Sequence, residues 1–274
     1  MSYASILVYV ETDGRPEPRV RLAAALADKF RATLIGLTAE ADRLPLAAAG
    51  DVISDELVEI ESEALRTKLA DKAEWFRRVA GAEHRKLEWR ALEEFPIEAL
   101  TSQARSADLI VIGQRKGPGD AYSSVDPGAA ILRAGRPALV VPEKVGPLQA
   151  EHVVIGWKET REARRATEDA LPFLREATRV TIVEICEPGE EATAREHIDD
   201  VAKHLARHRI SVGPKIILQQ ESSGAAQLIQ LANDEKADLL VTGAYGHSRM
   251  GEWIFGGMTH DLLATSPICC LMSH

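Results

Sequence analysis

Residues 237–259 read ADLLVTGAYGHSRMGEWIFGGMT. The apolar run Leu239–Val241 stops at Gly243, Gly246 follows, nine residues intervene, and Gly256-Gly257 lead into a segment with helical spacing. A strand that runs through a glycine-marked loop into a helix presents backbone N–H groups and the positive end of the helix dipole to an anion. Glycines also make plain tight turns after parallel strands, and two of them would say no more than that. Four at this spacing, with the hydroxyl of Thr259 beside them, point to a phosphate loop.

Working outward, the pattern around this stretch occurs twice. ADLIVIG at 107–113 aligns with ADLLVTG at 237–243, and Pro137 with Pro267, both at an offset of 130 residues. The opening apolar runs, SILVYV at 5–10 and the one at 151–157, are 147 apart, so the first half carries 17 extra residues. These fall in the Ala-rich 39–55 loop and the longer helix after it. In the first half the order reads strand 5–10, helix 19–30, strand 33–38, helix 55–80, strand 85–91, helix 96–106, strand 107–113, helix 125–134 and strand 138–141. The second half repeats it with strand 151–157, helix 161–177, strand 180–185, helix 190–209, strand 212–218, helix 225–236, strand 238–243, helix 257–265 and strand 268–272. Continuous apolar runs alternating with helical spacing predict an α/β fold of buried parallel strands with helices on both faces. Two copies of one doubly wound unit, 1–145 and 150–274, is the economical reading. In such sheets ligands sit beyond the strand C-termini where the strand order reverses. That brings Lys158-Glu159-Thr160 beside Gly243–His247 in the second half, and Glu11-Thr12 beside Gly113–Gly117 in the first.

Composition narrows the function. The net charge is -9, with basic residues scattered among acidic ones, so nothing resembles an electrostatic footprint for nucleic acid or an anionic membrane. The opening MSYASILVYVETDG has no signal-peptide character and no apolar run reaches the roughly 20 residues that span a bilayer; the expectation is a cytoplasmic protein. Three cysteines, Cys186, Cys269 and Cys270, lie in apolar strand-like runs, which fits a reducing compartment and structural thiols. Adjacent Cys269 and Cys270 point to opposite faces of a strand.

The chain resembles the universal stress protein family in a tandem form, over nearly its whole length. The family's signature is Gly, two residues, Gly, nine residues, Gly, then Ser or Thr; here it stands as Gly243, Gly246, Gly256 and Gly257, with Thr259 at a further hydroxyl position. The resemblance implies two five-stranded, Rossmann-like sandwiches of the adenine nucleotide alpha hydrolase-like kind. It also implies that ATP or a related adenine nucleotide sits with its phosphates and ribose on Gly243, Gly246, His247, Gly256, Gly257 and Thr259. The Asp that contacts the adenine side in ATP-binding members is Lys158 in the second half and Glu11 in the first. A lysine cannot accept from an adenine amino group but can neutralise a phosphate. In the first half Lys116, Asp126 and Pro127 replace Gly246, Gly256 and Gly257, which argues against nucleotide there. The fifth strands lie at sheet edges in the family and form the dimer contact of single-domain relatives. The resemblance therefore implies an intramolecular pseudo-dimer through 138–141 and 268–272, and leaves a homodimer of whole chains open.

Other chemistry is thinner. His197, His204 and His208 share a helical stripe, the last two at the i, i+4 spacing of a metal pair, but no acidic or cysteine ligand is placed near them by the sequence, so they are expected to form a solvated flank with no metal. No Ser/His/Asp set is brought together around Tyr122-Ser123-Ser124, and no base or Mg²⁺ carboxylate is identified for a weak ATPase; no catalytic residue is expected. Three readings remain: a stress-response module that binds a nucleotide through its second half, a nucleotide-independent interaction scaffold of the same fold, and a weak ATPase for which the sequence names no base.

Overall fold

A computed structural model describes residues 2–14, 16–42, 55–81, 86–114, 120–246 and 257–274. The first half runs β1 Ser5–Tyr9, α1 Glu17–Phe30, β2 Thr33–Ala39, α2 Asp55–Ala80, β3 Leu87–Leu92, α3 Pro96–Gln103, β4 Leu109–Gly113, α4 Pro127–Arg133 and β5 Ala138–Val141. The second runs β6 His152–Trp157, α5 Arg161–Asp169, α6 Leu171–Leu174, β7 Arg179–Cys186, α7 Glu191–Arg207, β8 Gly213–Leu218, α8 Gly224–Asp234, β9 Leu239–Gly243, α9 Gly257–Thr265 and β10 Cys269–Ser273. The helix expected over 161–177 is two helices. Pro172 has no N–H to donate, and the chain restarts at Ala170, whose carbonyl accepts from Phe173 and Leu174.

All ten strands form one sheet in the order β3-β2-β1-β4-β5-β10-β9-β6-β7-β8. Within each half every pair is parallel, and the strand order is the same in both. The halves meet at the pairing of β5 with β10, which is antiparallel, with Cys270 opposite Val140 and Met272 opposite Ala138. An antiparallel join of two like sheets relates them by an approximate twofold, and it removes from solvent the two strand edges that would otherwise offer unpaired backbone groups.

The continuous apolar strands are explained by two packed layers. Along β1, Ile6 and Val8 join one buried cluster with α1, α2, α5, α6 and α7, while Leu7 and Tyr9 join another with α3, α4, α8 and α9. Cys269 and Cys270 divide between the same two layers; all three cysteines are buried, and burial pushes the Cys270 thiol up to about 12. Both clusters cross the seam. Tyr3 and Phe30 of the first half meet Phe173 of the second in an edge-to-face triad with centroids 5.1–5.5 Å apart. The Tyr3 hydroxyl donates to the Asp169 carbonyl at 2.6 Å.

The duplication extends to single side chains. Asp108, just before β4, accepts from the backbone N–H groups of Ala4 and Ser5. Asp238, its counterpart 130 residues on, accepts from those of Glu151 and His152. Each carboxylate therefore ties the entry of one strand to the start of its neighbour. No helix among the described residues is long and apolar enough to cross a membrane.

Candidate functional site

In the second half the strand order reverses between β6 and β9, the position at which sheets of this kind hold ligands. After β6 come exposed Lys158 and half-buried Thr160, whose side chain caps α5 by accepting from the Ala163 N–H at 3.2 Å. After β9 come Ala244, Tyr245 and Gly246. Of the residues singled out from the sequence, Lys116, His247 and Gly256 lie outside the described residues.

The described glycines do different jobs. Gly243 faces the first turn of α5 so closely that a β-carbon would stand 2.5 Å from the Ala163 nitrogen and 2.6 Å from the Glu162 carbonyl carbon. Its missing side chain admits a helix backbone. Gly246 is exposed, and a β-carbon there would meet the Glu162 carboxylate at 3.2 Å and Thr160 at 3.4 Å. Gly257 opens α9 with no atom of the described residues within 4 Å of where a side chain would begin.

Thr259 is buried and its hydroxyl accepts from the Tyr245 N–H at 3.2 Å. This bond ties the start of the loop to the first turn of α9. Tyr245 has φ of 56°, a left-handed conformation that costs a non-glycine residue about 1–2 kcal/mol, so the loop is held by contacts that outweigh that cost.

Sequence reasoning overlooked Glu162. Its side chain is only 2% exposed and lies beside Gly246 at the second position of α5. Burial pushes its carboxyl up, but the Arg161 guanidinium bonded to it, with His274 nearby, outweighs burial and holds it below the usual carboxylate range. Arg161 is exposed and also meets the His274 ring at 3.3 Å. Only an acidic residue in the first turn of a helix was visible beforehand, and that is explained by the helix dipole alone. Lys158 lies near enough to Glu184 for its charge to act on that carboxyl.

The corresponding position of the first half holds a crevice of about 820 Å³, lined among others by Glu11, Arg19, Gly113, Asp126 and Pro127. Its chemistry is different. Glu11, at the position of the family's Asp, is bound by buried Arg19, whose guanidinium lies against Gly113 where a β-carbon would overlap it. Asp126 caps α4 by accepting from the Ala129 N–H at 2.8 Å. The first half thus supplies its own carboxylate at the start of the helix that, in the second half, begins at Gly257.

The histidine stripe gains a neighbour that no spacing could reveal. Glu168 of α5 comes within 3.9 Å of His204, the His204 and His208 rings lie 5.0 Å apart, and the three groups bring ligand-type atoms within 4.8 Å of one another. Arg175 approaches His208 Nδ1 at 3.5 Å, and Arg207 and Arg209 flank the same cleft. Those guanidinium groups oppose a divalent cation. His197 lies apart, 3.3 Å from Glu184.

With this geometry in hand, comparison with known proteins places the second half: residues 149–274 match the model of the universal stress protein family. The second half of the chain belongs to the universal stress protein family. The first half repeats the universal stress protein strand order, and the whole chain is a tandem form of that fold. Among solved structures, a universal stress protein from Archaeoglobus fulgidus DSM 4304 superposes with a TM-score of 0.68 at 14% identity, covering 98% of each chain. A protein of unknown function from Pseudomonas aeruginosa PAO1 follows with a TM-score of 0.64 at 15% identity, covering 99% of this chain and 92% of its own. At such identities the likeness speaks to the fold alone. No curated protein sequence matches.

Proposed function

We propose that this tandem universal stress protein is a stress-response module that binds ATP or a related adenine nucleotide at the glycine loop of its second half, residues 150–274, with a first half, residues 1–145, that has lost the same site. The observation that carries the reading is the contrast between the two helix starts. Gly257 begins α9 with no atom of the described residues within 4 Å of where its side chain would start, whereas α4 begins with the Asp126 carboxylate bonded to the Ala129 amide. A helix N-terminus with free amides favours an anion, and one already capped by a carboxylate repels it. Gly246 and Gly257 would face the phosphates, His247 and Gly256 would continue the cradle, and Lys158 with Arg161 would supply positive charge at its edge. Gly243 would act from behind, by letting α5 approach. The reading is one of binding; no described residue is placed as a base for hydrolysis.

Three observations favour the scaffold reading. Lys158 cannot take the role of an adenine-contacting carboxylate, the Thr259 hydroxyl already accepts from Tyr245, and the Glu162 carboxylate stands beside Gly246. A fluorescent ATP analogue separates the two. The binding reading expects saturable binding to the native protein that Gly246→Asp weakens at least tenfold, because a second carboxylate then joins Glu162 against the phosphates. Binding that is absent, or unchanged in Gly246→Asp, leaves the scaffold.

A further inference from the structure

Residues directly after β4 and β9 reach across to the other half. Gln114, directly after β4, donates from its side chain to the Ser266 carbonyl at the far end of α9, at 2.5 Å. Tyr245, two residues after β9, crosses in the other direction. Its ring joins the buried layer shared with α4, and its hydroxyl lies over Gly128, where a β-carbon would overlap the hydroxyl oxygen and stand 3.4 Å from ring carbon Cζ. Asp126 Oδ1 flanks the same point at 3.1 Å. Gly128 is buried within α4 with no positive φ. It is the second residue of α4, in the first turn, and what its missing side chain leaves room for is the tyrosine of the other half.

Tyr245 is also the residue that shapes the candidate site. It sits between Gly243 and Gly246 in the left-handed conformation, and its N–H holds Thr259 at the first turn of α9. The same residue therefore has its backbone in the second-half loop and its side chain lodged against the first half. We infer that the first half serves as a clamp for the glycine loop of the second, with Gly128 as the socket for Tyr245 and Tyr245 as the residue that positions the loop. The consequence for ligand binding rests on the nucleotide reading above; the clamp itself does not.

The contacts supply a compensating pair of changes. Gly128→Ala puts a methyl group onto the Tyr245 hydroxyl. A tyrosine ring is rigid, so the push is passed to its backbone and to the bond with Thr259. Tyr245→Phe removes the oxygen and leaves Cζ at 3.4 Å, an ordinary contact for a new methyl group. Hydrogen–deuterium exchange on the ligand-free full chain reads the clamp directly. The amide of Tyr245, bonded to the Thr259 hydroxyl, is expected to exchange at least tenfold faster in Gly128→Ala, at the native rate in Tyr245→Phe, and again close to the native rate in the double variant. Should Gly128→Ala fail to fold, Tyr245→Ala empties the socket without a clash and is expected to show the same faster exchange. Affinity for the fluorescent ATP analogue is expected to follow the same order. Native exchange in Gly128→Ala or Tyr245→Ala, or no recovery in the double variant, overturns the clamp. Absent analogue binding with the predicted exchange pattern overturns the nucleotide reading and leaves the clamp standing.

Discussion

Replacing Phe173 by Ala is expected to lower the stability of the whole chain by about 3–5 kcal/mol, and the loss is expected in both halves at once. Phe173 is fully buried and its ring completes the triad with Tyr3 and Phe30. Removing it leaves a cavity bounded by both halves, next to the Tyr3 to Asp169 hydrogen bond. Lys29 reaches across the same seam to the Gln149 carbonyl and to Glu176, and Arg165 donates to the Gly135 carbonyl. Since one sheet and two apolar layers run through the seam, denaturant unfolding followed by fluorescence and by circular dichroism should give coincident transitions, both moved to lower denaturant. Two separated transitions, with only the second-half one moved, would mean that the seam is an interface between independently stable bodies.

Gly243→Ala should cost about 3 kcal/mol, while Gly257→Ala, in the same motif, should be neutral or gain up to about 1 kcal/mol. At Gly243 a methyl group runs into the backbone of α5, 2.5 Å from the Ala163 nitrogen, and neither element can yield without disturbing the sheet. At Gly257 no atom of the described residues lies within 4 Å of an added β-carbon and the residue is already helical, so alanine is expected only to narrow the unfolded ensemble. Chemical denaturation midpoints of the two variants decide this. Equal effects would show that α5 does not approach β9 as closely as described. The pair also separates what the glycine signature merges, since one of its glycines answers to packing and another leaves the helix start open.

That merging explains what could be read from the sequence. Strand positions were legible because their apolar runs are continuous, and they are continuous because Ile6 and Leu7, or Cys269 and Cys270, enter opposite layers of one sandwich. The repeat was legible because Asp108 and Asp238 keep one structural duty 130 residues apart. The break at Pro172 was also written in the chain, but the helical spacing on either side of it masked the restart at Ala170. The site was legible only as a motif. That Gly243 faces α5, that Glu162 lies beside Gly246, and that Glu168 meets His204 all depend on helices that are distant in sequence or turned by a local cap. Tyr245 gave no signal of its own, because the reason for its place is a glycine in the other half.

The claim that carries most weight is that the duplication left one nucleotide site per chain and placed it in the second half. Native mass spectrometry of the full chain in excess ATP tests it most directly. The expected spectrum gains the mass of one nucleotide per chain, keeps that adduct when Asp126 is changed to Asn, and loses it in Gly246→Asp. A spectrum with no adduct, with two per chain, or with one that survives Gly246→Asp would contradict it.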